Sequence, residues 1–560
     1  MLRLNNEILF KIFDYLTVFD KRICVRVCKH WQFLIEGYNF YEDLNIYGSA
    51  ELLIFNKYFQ QDKSRRNQVH RLQISLFGKA SHVNDILALP EQFRHLREFV
   101  YRHDEGDTDE SDISEIVIDK RVAQHWQGIS KFYNYDKYFV SSELLQYGGF
   151  RNLVELGVRF GGRERSEIKC DALIQHLSNA PKLKKLNLDH GIMSLSHLHQ
   201  LHYNAQQLEV LCFYDMDLVS RDVNEQGRLV ASSNTLTELR LFRCTKPYTE
   251  SMLDRTEYSK LKILKVCISS VHDEKYGEDQ LIKLVSSCHY LENYDVNIHP
   301  ITPAIMEAMD ASGIQLKELT IKALPNENFL RQLESLQASN QKSSVLKMTL
   351  NFANYYENKD LEVNKLFDLI KGVSKVKRLE IVAKNYYLFP SFPLYEFLSK
   401  VRNLEILELK YWEIRLNANL FKLLAFKLCG KFKTKLKSLV LDQVTCCDKS
   451  MWFISETCPE LSRLTISPKY SSLFPTLNFP NHSFASITVD TSSEWVYYNT
   501  GCYYQVVDEN GTKWYKIVGG IQEEVSRVLP KSEDIRILLL KYKSCTTLKL
   551  GYAYVQAHTF

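Results

Sequence analysis

The sequence predicts an α/β chain: a small helical module at the N-terminus, a long array of alternating strands and helices, and a β-rich cap at the C-terminus. Three observations predict it. The chain has 560 residues, more than one hydrophobic core usually holds, so it is either several domains or one repeating architecture. An apolar spacing recurs every 23–32 residues over most of its length. The first helix is apolar around more of its circumference than one intramolecular face can cover.

Composition narrows the function classes. Hydrophobic residues at 45% and charged residues at 25% are ordinary globular values and exclude a disordered or collagenous chain. With 71 Lys plus Arg against 67 Asp plus Glu, the net charge is +4, too small to hold nucleic acid or a membrane by bulk charge. The 13 cysteines are scattered and include no Cys-x-x-Cys pair, as expected of free thiols in a reducing compartment. No leader-like segment opens the chain, and no run approaches the ~18 apolar residues of a membrane span. The expectation is a soluble protein of the cytoplasm, the nucleus or both.

The first element is LNNEILFKIFDYL, residues 4–16. Two asparagines supply caps, and a helix-forming run follows. At ~100° per residue, Tyr15, Ile8, Ile12, Leu16, Leu9, Phe13 and Phe10 spread over about 220°, leaving Glu7, Lys11 and Asp14 on the remainder. Asp20 is expected to cap a second run, KRICVRVCKHWQFLIEG, with Ile23, Cys24, Val27, Cys28, Trp31 and Leu34 on one stripe. A module of about 40 residues without disulfide or metal leans on something else. That support is either the following domain or a second polypeptide.

Leu4, Glu7, Ile8, Leu9, Ile12, Phe13, Tyr15, Leu16, Asp20, Cys24, Val27, Cys28 and Trp31 stand at the spacings L-P-x-E-I-L-x-x-I-F-x-Y-L-x(3)-D-x(3)-C-x-x-V-C-x-x-W. In this pattern residues 1–40 resemble an F-box. Asn5 replaces the usual Pro, and Lys21 the usual Leu. The resemblance implies a three-helix module that docks on the Skp-type adaptor of SCF-type cullin-RING ubiquitin ligases, through Leu4, Asn5, Ile8, Leu9, Ile12, Phe13, Leu16, Val27 and Trp31. It also implies a place in the ubiquitin-conjugation pathway that leads to proteasomal degradation. YNFYEDLNIYG resembles the segment by which F-box proteins of the leucine-rich-repeat class enter their first repeat, with Phe40 and Tyr41 in the place of Leu-Trp.

The array spans residues 41–490. A Leu-x-x-Leu-x-Leu register, other apolar residues allowed, begins at 153, 183, 208, 236, 261, 291, 316, 345, 376, 404, 436, 461 and 484. Nine of these pass the strict test of two leucines and an apolar third position, where chance supplies about two or three. Helix-like runs precede them: DALIQHLSNA before Leu183, LFDLIKGV before Val376, LYEFLSKV before Leu404. A strand and a helix at this period resemble leucine-rich repeats, which implies a curved solenoid with a concave parallel sheet and convex helices. Fainter registers stand at Tyr41, Val69, Leu96 and Ile129. Cys288 and Cys458 are expected to serve packing.

Two segments depart from the array. The acidic stretch 103–115 reads as a solvated insertion, or as a regulated loop with Thr108, Ser111 and Ser114 as phosphorylation sites. In residues 491–560, CYYQVVDENGTKWYKIVGG reads as a hairpin with Asn510-Gly511 at its turn. The aromatic residues around it form either a cap or a recognition element, and Leu548 and Leu550 a last strand.

No catalytic motif is present, so the chain is expected to be no enzyme and to need no cofactor or metal. His197, His199 and His202 read as a solvated convex helix. Lysines 431, 433, 435 and 437 read as a helix-to-strand loop. Positions 3, 5 and 7 of the registers place ten bases and nine acids on the concave face, a mixed surface that suits a protein partner and not nucleic acid. Tyr214, Phe242, Arg240 and Lys265 there, with Trp495 and Trp514 in the cap, are the candidate substrate contacts. The reading is a substrate receptor that presents a target for ubiquitination. The alternative is a non-degradative interaction scaffold whose F-box is weakened by Asn5.

Overall fold

The computed structural model describes residues 6–14, 16, 18–37, 42–60, 66–77, 86–104, 118–135, 140–160, 166–218, 231–267, 277–323, 329–352, 363–383, 391–414, 433–468, 476–489, 502–518, 521–525, 537–550 and 553–556. They belong to two units, one made of residues 1–270 and 279–290, the other of 271–278 and 291–560. No helix among the described residues is long and apolar enough to cross a membrane.

The first unit opens with α1 (Asn6–Asp14), α2 (Val18–Val25) and α3 (Lys29–Gly37). Then come β1 (Asp43–Tyr47), α4 (Ser49–Gln60), β2 (Arg71–Phe77), α5 (Leu89–Gln92), β3 (Glu98–Asp104), α6 (Lys120–His125), β4 (Lys131–Tyr135), α7 (Val140–Gln146) and β5 (Glu155–Arg159). The series continues with α8 (Ser166–Gln175), β6 (Lys185–Asp189), α9 (Leu195–Asn204), β7 (Val210–Tyr214), β8 (Glu238–Phe242), α10 (Lys246–Asp254), β9 (Ile263–Cys267) and α11 (Glu278–Ser287). Each strand pairs in parallel with the next. The register runs Asp43, Arg71, Glu98, Lys131, Glu155, Lys185, Val210, Glu238, Ile263 across nine strands.

The apolar spacing explains this order. In a strand successive side chains alternate faces, so Leu156 and Val158 point inward with Leu153 just ahead of them, all fully buried, while Glu155 and Arg159 face outward. Helices close the buried side, α7 packing on α8 and α8 on α9. The faint registers at Val69, Leu96 and Ile129 are full strands, β2, β3 and β4. His103 and Asp104 belong to β3, opposite Leu76 and Phe77, so the insertion starts later than the acidic composition suggests. Residues 105–117, with Thr108, Ser111 and Ser114, lie outside the described residues.

The second unit repeats the design with β10 (Asn293–Val296), α12 (Pro303–Ala311), β11 (Glu318–Lys322), α13 (Phe329–Ala338), β12 (Lys347–Asn351), α14 (Val363–Gly372), β13 (Arg378–Val382), α15 (Leu394–Lys400), β14 (Ile406–Lys410), β15 (Ser438–Val444), α16 (Asp448–Thr457) and β16 (Arg463–Pro468). Asn293, Glu318, Lys347, Arg378, Ile406, Ser438, Arg463 and then Ser486 are the register partners. Irregular turns are held by buried amides. Gln341 accepts from the Leu316 amide at 3.0 Å and donates to Asp310 and to the Ile314 carbonyl, each at 2.8 Å. A backbone group left unpaired there would cost more than an ordinary hydrogen bond gains.

The C-terminus differs from expectation. β17 (Leu477–Val489) lies beside β21 (Ile537–Leu550), with Ile487 opposite Leu548 and Val489 opposite Leu550. The last strand thus extends the parallel ladder directly, and β22 (Ala553–Gln556) folds back on it. The expected hairpin is present as β18 (Cys502–Asp508) and β19 (Gly511–Val518), joined by β20 (Ile521–Val525) into a meander. Its two loop residues are Glu509 and Asn510. Gly511, at φ +123°, already pairs with Asp508. Tyr504, Tyr515 and Tyr542 are buried, Trp514 is half-buried opposite Gln505, and Trp495 lies outside the described residues.

Candidate functional site

The N-terminal module divides its apolar residues between two faces. Leu9 and Phe13 are buried, and the Phe13 ring meets Trp31 edge-on at 5.3 Å. Asn6, instead of capping α1, lies 3.0 Å by its Oδ1 from His30 Nε2 and ties the start of α1 to α3. Ile8 and Ile12, one turn apart on α1, remain 48% and 40% exposed. Of the residues assigned to adaptor contact, Ile8, Ile12 and Val27 face solvent, Leu16 and Trp31 are half-buried, and Leu4 and Asn5 lie outside the described residues. Leu9 and Phe13 are a correction. They fill the module's interior, because α3 lays Trp31 against that side of α1.

Two further differences concern the second run. α2 begins at Val18, so Asp20 sits within the helix and does not cap it. The run breaks at residues 26–28, so the stripe from Ile23 to Leu34 is shared between two helices. Phe33, 73% exposed on α3, went unnoticed in the sequence. A signal was there: Phe33, Leu34 and Ile35 are consecutive, and at ~100° per residue a helix cannot bury all three on one side.

The outward face of the first unit carries an ordered set of charges. Arg71 lies 3.3 Å from Asp43 and 3.0 Å from Glu98; Lys131 lies 3.1 Å from Glu98 and 3.7 Å from Glu155; Lys185 lies 3.5 Å from Glu155. The tally of bases and acids thereby becomes a ladder in which each charge answers its neighbour. Such exposed pairs contribute at most about 1 kcal/mol each, but they leave the row without net charge. Burial pushes the Glu155 carboxyl up, yet the Tyr133 hydroxyl, donating at 2.6 Å, and Lys185 and Lys131 outweigh it and hold the group below its usual range. Gly157 makes this possible: a Cβ there would stand 2.3 Å from the Tyr133 ring.

Further along the same face Tyr214 and Phe242 stack at 5.0 Å with 17° between their planes. Arg240 donates to Glu238 at 2.5 Å. Lys265, beside Arg240 in register, has no acid partner among the described residues. Of the cap tryptophans assigned with these residues, Trp514 lies in the second unit, and Trp495 is not described. In the second unit the acids and bases again answer one another. Lys322 lies 2.9 Å from Asp295, Lys347 3.0 Å from Glu318, Arg378 2.5 Å from Glu408 and Lys410 2.8 Å from Glu380.

A cluster that the sequence did not suggest lies where strands β6 to β8 end. His190, Asp215 and Arg243 each follow a strand with φ of 50–55°, the left-handed region that non-glycine residues enter at a cost. Their amides bond the last carbonyl of the next strand, those of Tyr214, Phe242 and Cys267, which holds the turn. Asp189, His190 and Asp215 thereby bring three potential ligand atoms within 4.8 Å of one another. Arg243 lies 2.5 Å from Asp215, and Arg159 3.3 Å from His190 Nε2. Two guanidiniums thus flank the carboxylates, and the arrangement is neutralised by the protein's own cations.

The three histidines on α9 are corrected more sharply. Only His199 faces solvent; His197 and His202 are buried. His197 closes the start of its own helix, its amide donating to Ser194 Oγ at 3.2 Å while its Nδ1 accepts from the Ser194 amide at 3.3 Å. His202 Nε2 meets the Tyr258 hydroxyl at 2.9 Å. Burial, with His199 nearby, pushes His202 down to about 4. The unfolded chain therefore takes up a proton near pH 6.5 that the folded chain refuses until about pH 4. Stability falls with pH through that window and is level below it. Between pH 7 and pH 5 the loss is about 2 kcal/mol. Urea midpoints of the wild type and His202→Leu at both pH values will differ by this slope; parallel curves would refute it.

Buried thiols behave as packing groups: burial raises Cys288 to about 11, and Cys458 is also raised. Lys433, Lys435 and Lys437 lie in the turn before β15, the first donating to the Glu456 carbonyl at 2.9 Å.

Among solved structures the chain is similar to the crystal structure of a TLR13–ssRNA13 complex, at 12% identity and TM-score 0.41, over 86% of this chain and 64% of that one. It is also similar to the Toll–Spatzle complex of Drosophila, at 11% identity and TM-score 0.26, over 76% of this chain and 61% of that one. The chain thus spans under two thirds of either relative's length. No curated protein matches it. Residues 1–43 match the family model of the F-box domain, and the three-helix module that turns Ile8 and Ile12 outward is an F-box domain.

Proposed function

We propose that the chain is the substrate-receptor subunit of an SCF-type cullin-RING ubiquitin ligase. The F-box docks on a Skp-type adaptor, and the outward faces of the repeat strands hold a target protein whose lysines then meet the ubiquitin-charged enzyme. The receptor performs no chemistry; it supplies local concentration and orientation. The repeats form a leucine-rich-repeat solenoid, and the complex works in the cytoplasm, the nucleus or both. The observation that carries this reading is the pair Ile8 and Ile12, exposed on a helix whose Leu9 and Phe13 already fill the module's own interior. Ile8, Ile12 and Val27 make the adaptor contact, with Leu16 and Trp31 at its margin and Leu4 and Asn5 ahead of it. Tyr214, Phe242, Arg240 and Lys265 contact the target.

Burying one isoleucine contributes about 2 kcal/mol, and an aspartate in its place brings a further desolvation cost. Ile8→Asp with Ile12→Asp should therefore weaken capture of a purified Skp-type adaptor at least about 100-fold, with helix content unchanged. Equal capture by the double variant would sink the assignment. Where capture holds, accumulation of a bound protein on proteasome inhibition distinguishes the receptor from a non-degradative scaffold.

A further inference from the structure

The outward face of the first unit is not uniform. From Asp43 to Lys185 one row alternates acid and base over six strands, and each charge has an opposite neighbour within 4 Å. A partner that brings a charge to this row must displace a pair already made, and gains little. At the next strand the pattern stops. Val210 and Ile263 stand in the row where the earlier strands carry charges. Tyr214 and Phe242 present two half-exposed, stacked rings. Arg240 and Lys265 are direct register partners, and like charges directly opposite one another are unfavourable unless each is answered.

The local acids do not answer both. Glu238 holds Arg240 at 2.5 Å, and Asp215 is held by Arg243 at 2.5 Å. Lys265 is left with no acid partner among the described residues. The patch formed by β7, β8 and β9 therefore combines an aromatic shelf with a cation that has no acid partner among the described residues, beside a row that is self-neutralised.

We propose that this patch binds an acidic, extended peptide segment of the target protein, with a carboxylate on Lys265 and a large apolar side chain on the Tyr214–Phe242 shelf. The proposal rests on the reading that the outward face holds a target, and narrows the target's chemistry. A basic segment is disfavoured, because the nearby acids are already engaged, Glu238 by Arg240, Asp215 by Arg243, and Asp189 by His190 and Arg159. Spacing follows from strand geometry. Lys265 is two residues from Cys267, the register partner of Phe242, so cation and shelf lie ~8 Å apart given ~3.3 Å per residue along a strand and ~4.8 Å between strands. The acid and the apolar residue then stand within about three positions of each other in the bound segment.

A random phage-displayed peptide library selected on the full-length chain tests this. Enriched sequences should carry Asp or Glu within three positions of an aromatic or large aliphatic residue. A synthetic peptide from that pool should lose at least about tenfold in affinity to Lys265→Glu, and likewise to Tyr214→Ala with Phe242→Ala. Replacing the peptide's acid by Lys should restore binding to Lys265→Glu. Enrichment without acids, no enrichment, or equal affinity for wild type and Lys265→Glu would overturn the proposal. Adaptor capture measured on the same preparations keeps the two readings apart. Adaptor capture that depends on Ile8 and Ile12, together with peptide affinity unchanged by Lys265→Glu, removes the patch alone, and adaptor capture independent of Ile8 and Ile12 removes the ligase reading alone.

Discussion

Phe13→Ala is expected to unfold the F-box outright, with amides of residues 6–37 exchanging at unprotected rates while the repeat strands keep their protection. The Phe13 side chain is fully buried, and its ring supports Trp31 at 5.3 Å. Deleting a buried Phe costs about 3–5 kcal/mol. That equals what a core of this size supplies in total, and helices of nine, eight and nine residues have no independent stability. The contrast with Ile8→Asp and Ile12→Asp is the informative part. Those substitutions sit on solvent-facing positions and should leave exchange in residues 6–37 unchanged. Hydrogen–deuterium exchange of the three proteins separates a lost fold from a lost surface. Wild-type protection in Phe13→Ala would show that the module's stability comes from elsewhere.

Trp126→Ala is the most damaging single change expected in the repeats. Trp126 follows α6, is fully buried, and donates its indole N–H to the Leu87 carbonyl at 3.2 Å. Phe132, Phe99 and Phe150 surround it at 5.1, 5.7 and 6.1 Å. The backbone closes in as well: a Cβ on Gly149 would stand 2.9 Å from the Ala123 carbonyl oxygen, so neighbouring segments have no slack with which to collapse into the void. Loss of the ring costs about 4 kcal/mol, with the Leu87 carbonyl left unpaired in addition. Because stacked repeats are coupled chiefly to their neighbours, the damage should concentrate between residues 86 and 160. Limited proteolysis will read it as new cleavage there before cleavage in residues 378–468. Uniform loss across both spans would mean that the array unfolds as one cooperative block.

How much was legible follows from how local each cause is. Burial of positions 1, 4 and 6 in each register is set by residues a few positions apart, so even the faint spacings at Val69, Leu96 and Ile129 mark true strands. The module was legible too, as a first helix with a surplus of apolar surface and a second apolar run, though not the break that makes that run two helices. Which part of that surplus faces inward was not. Leu9 and Phe13 turn in because Trp31, 18 or more positions away, lies against them, and that choice belongs to the packing of α1 on α3. His202 looked solvated because its partner, Tyr258, is 56 positions further on.

The sequence by itself determined the F-box, the strand–helix alternation and its phase, since these depend on short-range periodicity and on the two alternating faces of a strand. Only the tertiary structure decided which charges meet and which do not. Ten bases and nine acids are a tally until parallel pairing sets Arg71 between Asp43 and Glu98, and Lys265 beside Arg240 with no acid of its own among the described residues. Lateral neighbours in a parallel sheet come from separate repeats, some 25–30 residues apart in the chain, and no local pattern encodes who stands next to whom.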